Sequence, residues 1–291
     1  MDMRDPDCAG QSPIHAACGV RSLGDPAVVA ALVERHGADA HCTDDNDSNA
    51  LHYACANGFV DIIRLLVRDY GVRVDTTDRE GKTPLFYAAY NGRTAAVAAL
   101  VQEFAADVCY RNRSDWTALH CAAMKGHASV VAFLAEDCGA DVNACNYVGK
   151  SALHYAAELG HADVAAVLVR SGCCVTLTDV TNSNALHYAC HRRSVLTAEI
   201  LLSVDAAEQC AAVNLFGMTA LLYACCPPHP HADPAAATAA GGAGAAGAEV
   251  YRSDPASGMK LLRAVLDAGA SDLDAANRDG FTALMLGKAA A

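Results

Sequence analysis

The chain has 291 residues, 53% of them apolar but only 6% aromatic, and its 21 Lys and Arg against 33 Asp and Glu give a formal net charge of −12. A field of that sign repels phosphate backbones and anionic lipid surfaces, which argues against nucleic acid and membrane as general partners. The opening Met1-Asp2-Met3-Arg4-Asp5 lacks the basic-then-apolar order of a signal peptide, and no apolar run approaches the ~20 residues of a membrane span, so the expectation is a soluble, unprocessed protein.

In chain order, one short string returns eight times: Ser12-Pro13-Ile14-His15, Asn49-Ala50-Leu51-His52, Thr83-Pro84-Leu85-Phe86, Thr117-Ala118-Leu119-His120, Ser151-Ala152-Leu153-His154, Asn184-Ala185-Leu186-His187, Thr219-Ala220-Leu221-Leu222 and Thr282-Ala283-Leu284-Met285. The first seven follow one another at spacings of 33 to 37 residues; the last step is 63, one period plus an insertion. Ser, Thr or Asn is a good helix N-cap, and Pro13 and Pro84 then fall where no amide donor is needed. A short inner helix is therefore expected after each cap. Gly58, Gly92, Gly126 and Gly160 stand nine residues past their caps, where a left-handed residue ends a helix.

A second, outer helix follows with 3.6-residue apolar periodicity: Ile62, Ile63, Leu65 and Leu66, then Val97, Leu100 and Val101, Val130, Val131, Phe133 and Leu134, and Val164, Val167 and Leu168. Glycines 37, 71, 139, 172 and 269 are expected to stop these helices. Between pairs run turn-rich hairpin fingers such as Asp78-Arg79-Glu80-Gly81-Lys82, with Asp or Asn opening the turn. Neither helix of a pair can bury its apolar face alone, so neighbouring repeats must stack.

These residues resemble the ankyrin-repeat family: Thr83-Pro84-Leu85-x-x-Ala88-Ala89 and Ser151-Ala152-Leu153-His154-x-Ala156-Ala157 are similar to its T-P-L-H-x-A-A signature. The resemblance implies an all-α fold with short hairpin fingers, a single solenoid of stacked helix-turn-helix units over 1–291, with repeats starting near residues 7, 44, 78, 112, 146, 179, 214 and 277. Repeat 6 departs from the pattern, with His191-Arg192-Arg193 where the inner glycine belongs, and repeat 8 is read as a half-repeat cap. Residues 227–256 read as a flexible Pro, Ala and Gly-rich insertion inside repeat 7, with its outer helix resuming near Met259.

Catalytic and metal sites are not indicated. His15, His52, His120, His154 and His187 recur once per repeat, roughly 10 Å apart, too far to cooperate; in the family this His is expected to tie a helix to its neighbouring hairpin. Cys225-Cys226-Pro227-Pro228-His229-Pro230-His231 gathers soft and imidazole groups at a spacing unsuited to a zinc site. No phosphate-cradling loop or nucleophile elbow occurs. The expectation is no enzyme, no cofactor and no metal. The 14 cysteines form no framework and suit a reducing compartment, cytoplasmic and/or nuclear, with Cys18, Cys55, Cys190 and Cys225 as core filler.

The resemblance implies a concave surface of finger tips and inner helices that is free to bind. Early fingers are charged (Asp44, Asp45 and Asp47, then Arg79, Glu80 and Lys82), whereas later ones carry Trp116, Tyr147, Val148, Lys150, Val180, Leu215, Phe216 and Met218, with Tyr90, Met124 and Leu159 extending the stripe on the inner helices. Exposed apolar and aromatic residues are typical binding hot spots. The tyrosines at 53, 87, 155, 188 and 223 are assigned to packing, their hydroxyls near the groove edge. The expected function is a non-enzymatic adaptor or scaffold, monomeric alone, binding a partner protein through this surface, with the acidic early fingers steering basic segments. The alternatives are an inhibitor or assembly chaperone such as gankyrin-like proteasome factors, or the targeting arm of a larger enzyme complex.

Overall fold

Side-chain caps start inner helices at Asn49, Thr117 and Asn184, while Thr83 begins its helix with a following proline and no cap bond. In the computed structural model, which describes residues 10–19, 24–225, 255–269, 276–278 and 280–283, the inner helices are α1 (Pro13–Gly19), α3 (Ala50–Asn57), α5 (Pro84–Tyr90), α7 (Ala118–Met124), α9 (Ala152–Leu159), α11 (Ala185–His191) and α14 (Ala220–Cys225). The outer helices are α2 (Pro26–Glu34), α4 (Val60–Arg64), α6 (Thr94–Ala98), α8 (Ala128–Ala132), α10 (Ala162–Arg170), α12 (Val195–Leu202) and α15 (Pro255–Asp267). A further short helix, α13 (Ala206–Ala211), follows α12. The fold is all-α. Among the described residues the fingers hold isolated antiparallel bridges, such as Thr43 with Asn49 and Cys145 with Ser151.

Glycine closes the inner helices for two reasons that coincide at Gly92 and Gly126. Both sit at positive φ, +67° and +75°. A Cβ at either would also come within 2.6 Å and 2.8 Å of the imidazoles of His127 and His161. Those two rings reach back from the following repeat to Tyr90 O at 3.0 Å and Met124 O at 3.1 Å, and Arg93 does the same to Ala56 O at 3.1 Å. Orphan carbonyls at one helix end are thus satisfied by the next repeat. In repeat 6 the equivalent residue, Arg193, takes the same left-handed conformation at φ +56° without being glycine.

The outer helices of repeats 2, 3 and 4 do not stay α-helical to their ends: Leu65–Asp69, Ala99–Glu103 and Phe133–Asp137 form wider π turns. A left-handed residue then stops each of them, Gly71, Ala105 or Gly139, and the amide beyond it returns to Leu66 O, Leu100 O or Leu134 O at 2.9 Å. Repeat 6 has no glycine stop; α12 ends at Leu202, and Asp205 at φ +45° turns the chain into α13. The repeat-7 outer helix begins at Pro255, four residues before the expected restart, with proline in the first helical position. The rest of the expected insertion, 227–254, lies outside the described residues.

Two compact units divide the chain, Met1–Cys174 and Val175–Ala291. In the first, inner helices stack in the order α1, α3, α5, α7, α9 and outer helices in the order α2, α4, α6, α8, α10. Leu51, Ile62, Ile63, Leu66, Leu85, Leu100, Leu119, Leu134, Leu153 and Leu168 are fully buried between the two rows, each burial contributing about 1.5–3 kcal/mol. Arg64 and Arg68 on the outer row reach Glu103 of the next repeat at 2.6 and 2.7 Å. In the second unit α14 packs on α11 and α15 on α12, with Leu186, Cys190, Leu201, Leu221, Leu261 and Val265 between them. Cys18, Cys55, Cys190 and Cys225 are buried, as expected of core filler, and burial pushes the Cys18 thiol up to about 12.

Candidate functional site

Each finger is built from its opening Asp or Asn. Asp44 Oδ1 accepts the amides of Asn46 and Ser48, Asp78 Oδ1 those of Glu80 and Lys82, Asn112 Oδ1 those of Ser114 and Trp116, and Asn146 Oδ1 those of Val148 and Lys150. Asp179 and Asn214 do the same in the second unit. The backbone of the turn is therefore fixed by one side chain, as in an Asx-turn. Neighbouring tips are tied by an amide to a carbonyl: Arg79 N donates to Asn46 O at 2.9 Å, Arg113 N to Glu80 O at 3.3 Å, Tyr147 N to Ser114 O at 3.3 Å and Leu215 N to Thr181 O at 2.8 Å.

The tyrosine stripe anchors the fingers to the inner helices. Tyr53, Tyr87 and Tyr188 donate their hydroxyls to Asp44, Asp78 and Asp179 at 2.6, 2.7 and 2.5 Å, while Asn146 and Asn214 donate Nδ2 to the hydroxyls of Tyr155 and Tyr223 at 2.8 and 3.1 Å. Burial pushes the Tyr53, Tyr87 and Tyr155 hydroxyls upward in pKa, and the carboxylate beside each of the first two adds to the shift, so they stay protonated donors. Repeat 4 has Cys121 in this slot, buried like the core thiols.

The motif histidines hold the other side. In each capping box the N-cap amide donates to Nδ1, as Thr117 N does to His120 and Ser151 N to His154 at 3.2 and 3.1 Å. With Nδ1 accepting, Nε2 carries the proton and donates to a carbonyl of the next finger: His15 to Cys42 O at 3.1 Å, His52 to Lys82 O at 3.3 Å, His120 to Lys150 O at 3.1 Å and His187 to Met218 O at 3.1 Å. Burial lowers the pKa of His52, His120 and His187, His120 to about 4, so these rings are neutral. This is the helix-to-hairpin tie expected from the resemblance. Where Phe86 replaces His, the Thr83 hydroxyl is buried without a partner.

With the finger backbone held in this way, the expected binding residues separate into two sets. Trp116, Lys150 and Met218 pack against the rest of the chain. All three immediately precede an N-cap, on the return leg of the finger, where the side chains of Trp116 and Met218 reach the next repeat and that of Lys150 lies on the inner helix of its own. Trp116 is half-buried, with its ring 4.6 Å from that of Tyr155 and 5.7 Å from that of His120. Lys150 is 7% exposed and pairs with Glu158 at 2.8 Å, its ammonium 5.5 Å from the Tyr155 ring centre. Met218 is 8% exposed and accepts through sulfur from Asn277 Nδ2 at 3.7 Å.

The tips themselves are open: Tyr147 is 56% exposed in the first unit, and Val180, Leu215 and Phe216 are 62%, 49% and 57% exposed in the second. Val148, Tyr90 and Met124 are half-buried and Leu159 exposed, all in the first unit. Lys125 covers Tyr90, its ammonium 4.5 Å from the ring centre. Reasoning from sequence overlooked Val213 and Phe281, both exposed beside fingers, and the cationic end of α11, where His191 and Arg192 are exposed. The signal for the latter was in the sequence as the missing glycine of repeat 6.

Cys225 is buried at the end of α14, while Cys226, His229 and His231 of the weighed metal cluster lie outside the described residues. Among the described residues no group of three His, Cys, Asp or Glu could hold a metal ion, and no helix is long and apolar enough to cross a membrane.

Comparison with known proteins agrees with this architecture. The family model for ankyrin repeats (3 copies) matches residues 14–112 and 105–179. Among solved structures, the crystal structure of the human ASB11 ankyrin repeat domain is similar with a TM-score of 0.63 and 24% sequence identity, covering 72% of this chain and 90% of that one, a likeness of fold. No curated protein sequence matches. Since the model's matches take in more than half of the 291 residues and the capped helices, fingers and histidine ties follow its pattern, the chain belongs to the ankyrin-repeat family.

Proposed function

We propose that this protein is a non-enzymatic adaptor or scaffold that grips a partner protein through finger tips and adjoining inner-helix residues. Ankyrin repeats are generic protein–protein interaction modules, and one observation carries the narrower reading. The backbone of the fingers is held by Asp or Asn together with tyrosine and histidine ties, so the side chains of Tyr147, Val180, Leu215 and Phe216 have no part in forming the turns they sit on, yet they leave large apolar surface in water. Rigid presentation of such side chains lowers the ordering cost of association. The net charge of −12 disfavours nucleic acid, and thiols such as Cys18, Cys55 and Cys190, buried outside any disulfide among the described residues, suit a reducing compartment, cytoplasmic and/or nuclear.

The test is affinity capture by the wild type beside a Leu215→Ser, Phe216→Ser variant of matched circular dichroism and melting. The reading predicts a protein captured by the first and lost by the second. Equal capture by both would contradict it.

A further inference from the structure

At one junction of the first unit, cysteine replaces the usual residue on both sides at once. The residue just before the opening Asp or Asn of a finger is Thr43, Thr77 and Arg111 in turn, and then Cys145. The second residue past the left-handed stop of an outer helix is Asp39, Arg73, Asp107 and Asp141 in turn, and then Cys174. These two places belong together in space. One junction earlier their counterparts, Arg111 and Asp141, line a single cavity with Cys109, Thr117 and Ala144.

At the cysteine junction itself Asn143 holds both residues. Its side-chain oxygen accepts the Cys174 amide at 2.7 Å, and its carbonyl oxygen accepts the Cys145 thiol at 3.4 Å. The amide tie belongs to the repeat, since Asp107 N donates to Asp75 Oδ1 at 3.4 Å two junctions earlier. The thiols do not belong to it. Cys18, Cys55, Cys121 and Cys190 are sealed in the core, whereas Cys145 is half-buried and Cys174 exposed. Burial raises the Cys145 pKa, the Arg111 guanidinium works against that rise, and Asp141 and Cys174 lie near enough to add to it. Arg111 is held there by its bond to Cys145 O at 2.9 Å.

We propose that Cys145 and Cys174 join in a reversible disulfide when a small-molecule disulfide such as oxidised glutathione accumulates, bracing the root of the Tyr147 finger against the segment that follows α10. Exposed Cys174 reacts first. Its thiolate attacks one sulfur of the oxidant, the oxidant's S–S bond breaks, and one glutathione leaves as a thiol, so that a mixed disulfide remains on Cys174. The Cys145 thiolate then attacks the Cys174 sulfur and expels the second glutathione. Two protein thiols are thereby oxidised to one disulfide, and one oxidant disulfide is reduced to two thiols. The link closes a loop of about 30 residues, which restricts the unfolded chain, and excess thiol reverses the exchange.

The experiment incubates the full chain in oxidised or reduced glutathione, blocks remaining thiols by alkylation, and maps linked peptides by mass spectrometry without reduction. The expected map has Cys145 joined to Cys174, a link that reduction removes. Cys174→Asp and Cys145→Thr, each installing a residue that other repeats carry at that place, abolish the link, and Cys145→Thr leaves glutathione on Cys174. Cys109→Ser leaves the link intact. The oxidised wild type melts about 5 °C above the reduced one, and Cys174→Asp shows no such difference. The disulfide is overturned if Cys174 holds glutathione while Cys145 stays open to alkylation, if Cys174 joins Cys173 or any other cysteine, or if both thiols remain unreacted. A link without the rise in melting overturns the bracing.

Discussion

The fingers of the two units share one skeleton and differ in what they display. Asp44 and Asp78 in the first unit and Asp179 and Asn214 in the second hold their turns through the same pair of amides and the same tyrosine nine residues on. On that skeleton the early tips carry ions that pair with one another, Arg79 with Asp47 at 3.4 Å and Lys82 with Glu80, whereas the second unit displays Val180, Leu215 and Phe216. Exposed ion pairs of the first kind contribute little to stability. The difference teaches that the tip is separable from the fold: the buried Asp or Asn, Tyr and His set the finger, and the tip is left open to vary.

That separation can be broken at its anchors, and the largest effect is expected there. His120→Ala leaves the Thr117 amide and the Lys150 carbonyl without their buried partner and should cost about 3 kcal/mol in urea unfolding. Acid works on the same groups. His52, His120 and His187 have folded pKa values below 6.5, so the unfolded chain binds protons first as pH drops. Their contribution is complete above the unfolded value and is lost as pH falls from 6.5 toward about 4, the His120 value. Melting temperature should fall across that window, and His120→Gln should fall less steeply.

Next in size is Trp116→Ala, which removes a half-buried ring from Tyr155 and His120 and should cost about 2 kcal/mol. A cost within experimental error would return Trp116 to the set of free recognition residues. Smaller and of opposite sign are Ala105→Gly and Arg193→Gly, each relieving a left-handed conformation and each expected to stabilise by about 1 kcal/mol in equilibrium unfolding.

Repetition made the anchors legible. Eight copies of a cap followed by an apolar pair locate the inner helices, and the recurring His at the third helical position is read as the finger tie because Phe86, Leu222 and Met285 can replace it. The tyrosine tie is equally present as a nine-residue spacing, from Asp44 to Tyr53 through Asn214 to Tyr223, but packing with the hydroxyls near the groove edge is all that the stripe by itself suggests. The packing of Trp116, Lys150 and Met218 is not legible in sequence for a different reason. Residue chemistry says that a large side chain near a turn needs a surface, but whether that surface is solvent-facing or the inner helices of the stack depends on which leg of the finger it occupies. The π turns after α4, α6 and α8 have no evident sequence mark: α10, with a similar apolar pattern, stays α-helical throughout.

The smallest stability effect carries the central claim. Leu215→Ser with Phe216→Ser, followed by denaturant unfolding and by affinity capture beside the wild type, asks directly whether the tip is free of folding duty. The account predicts unfolding free energy within about 0.5 kcal/mol of the wild type together with loss of binding; destabilisation of about 2 kcal/mol or more, or binding that persists, would show that these side chains hold the fold rather than a partner.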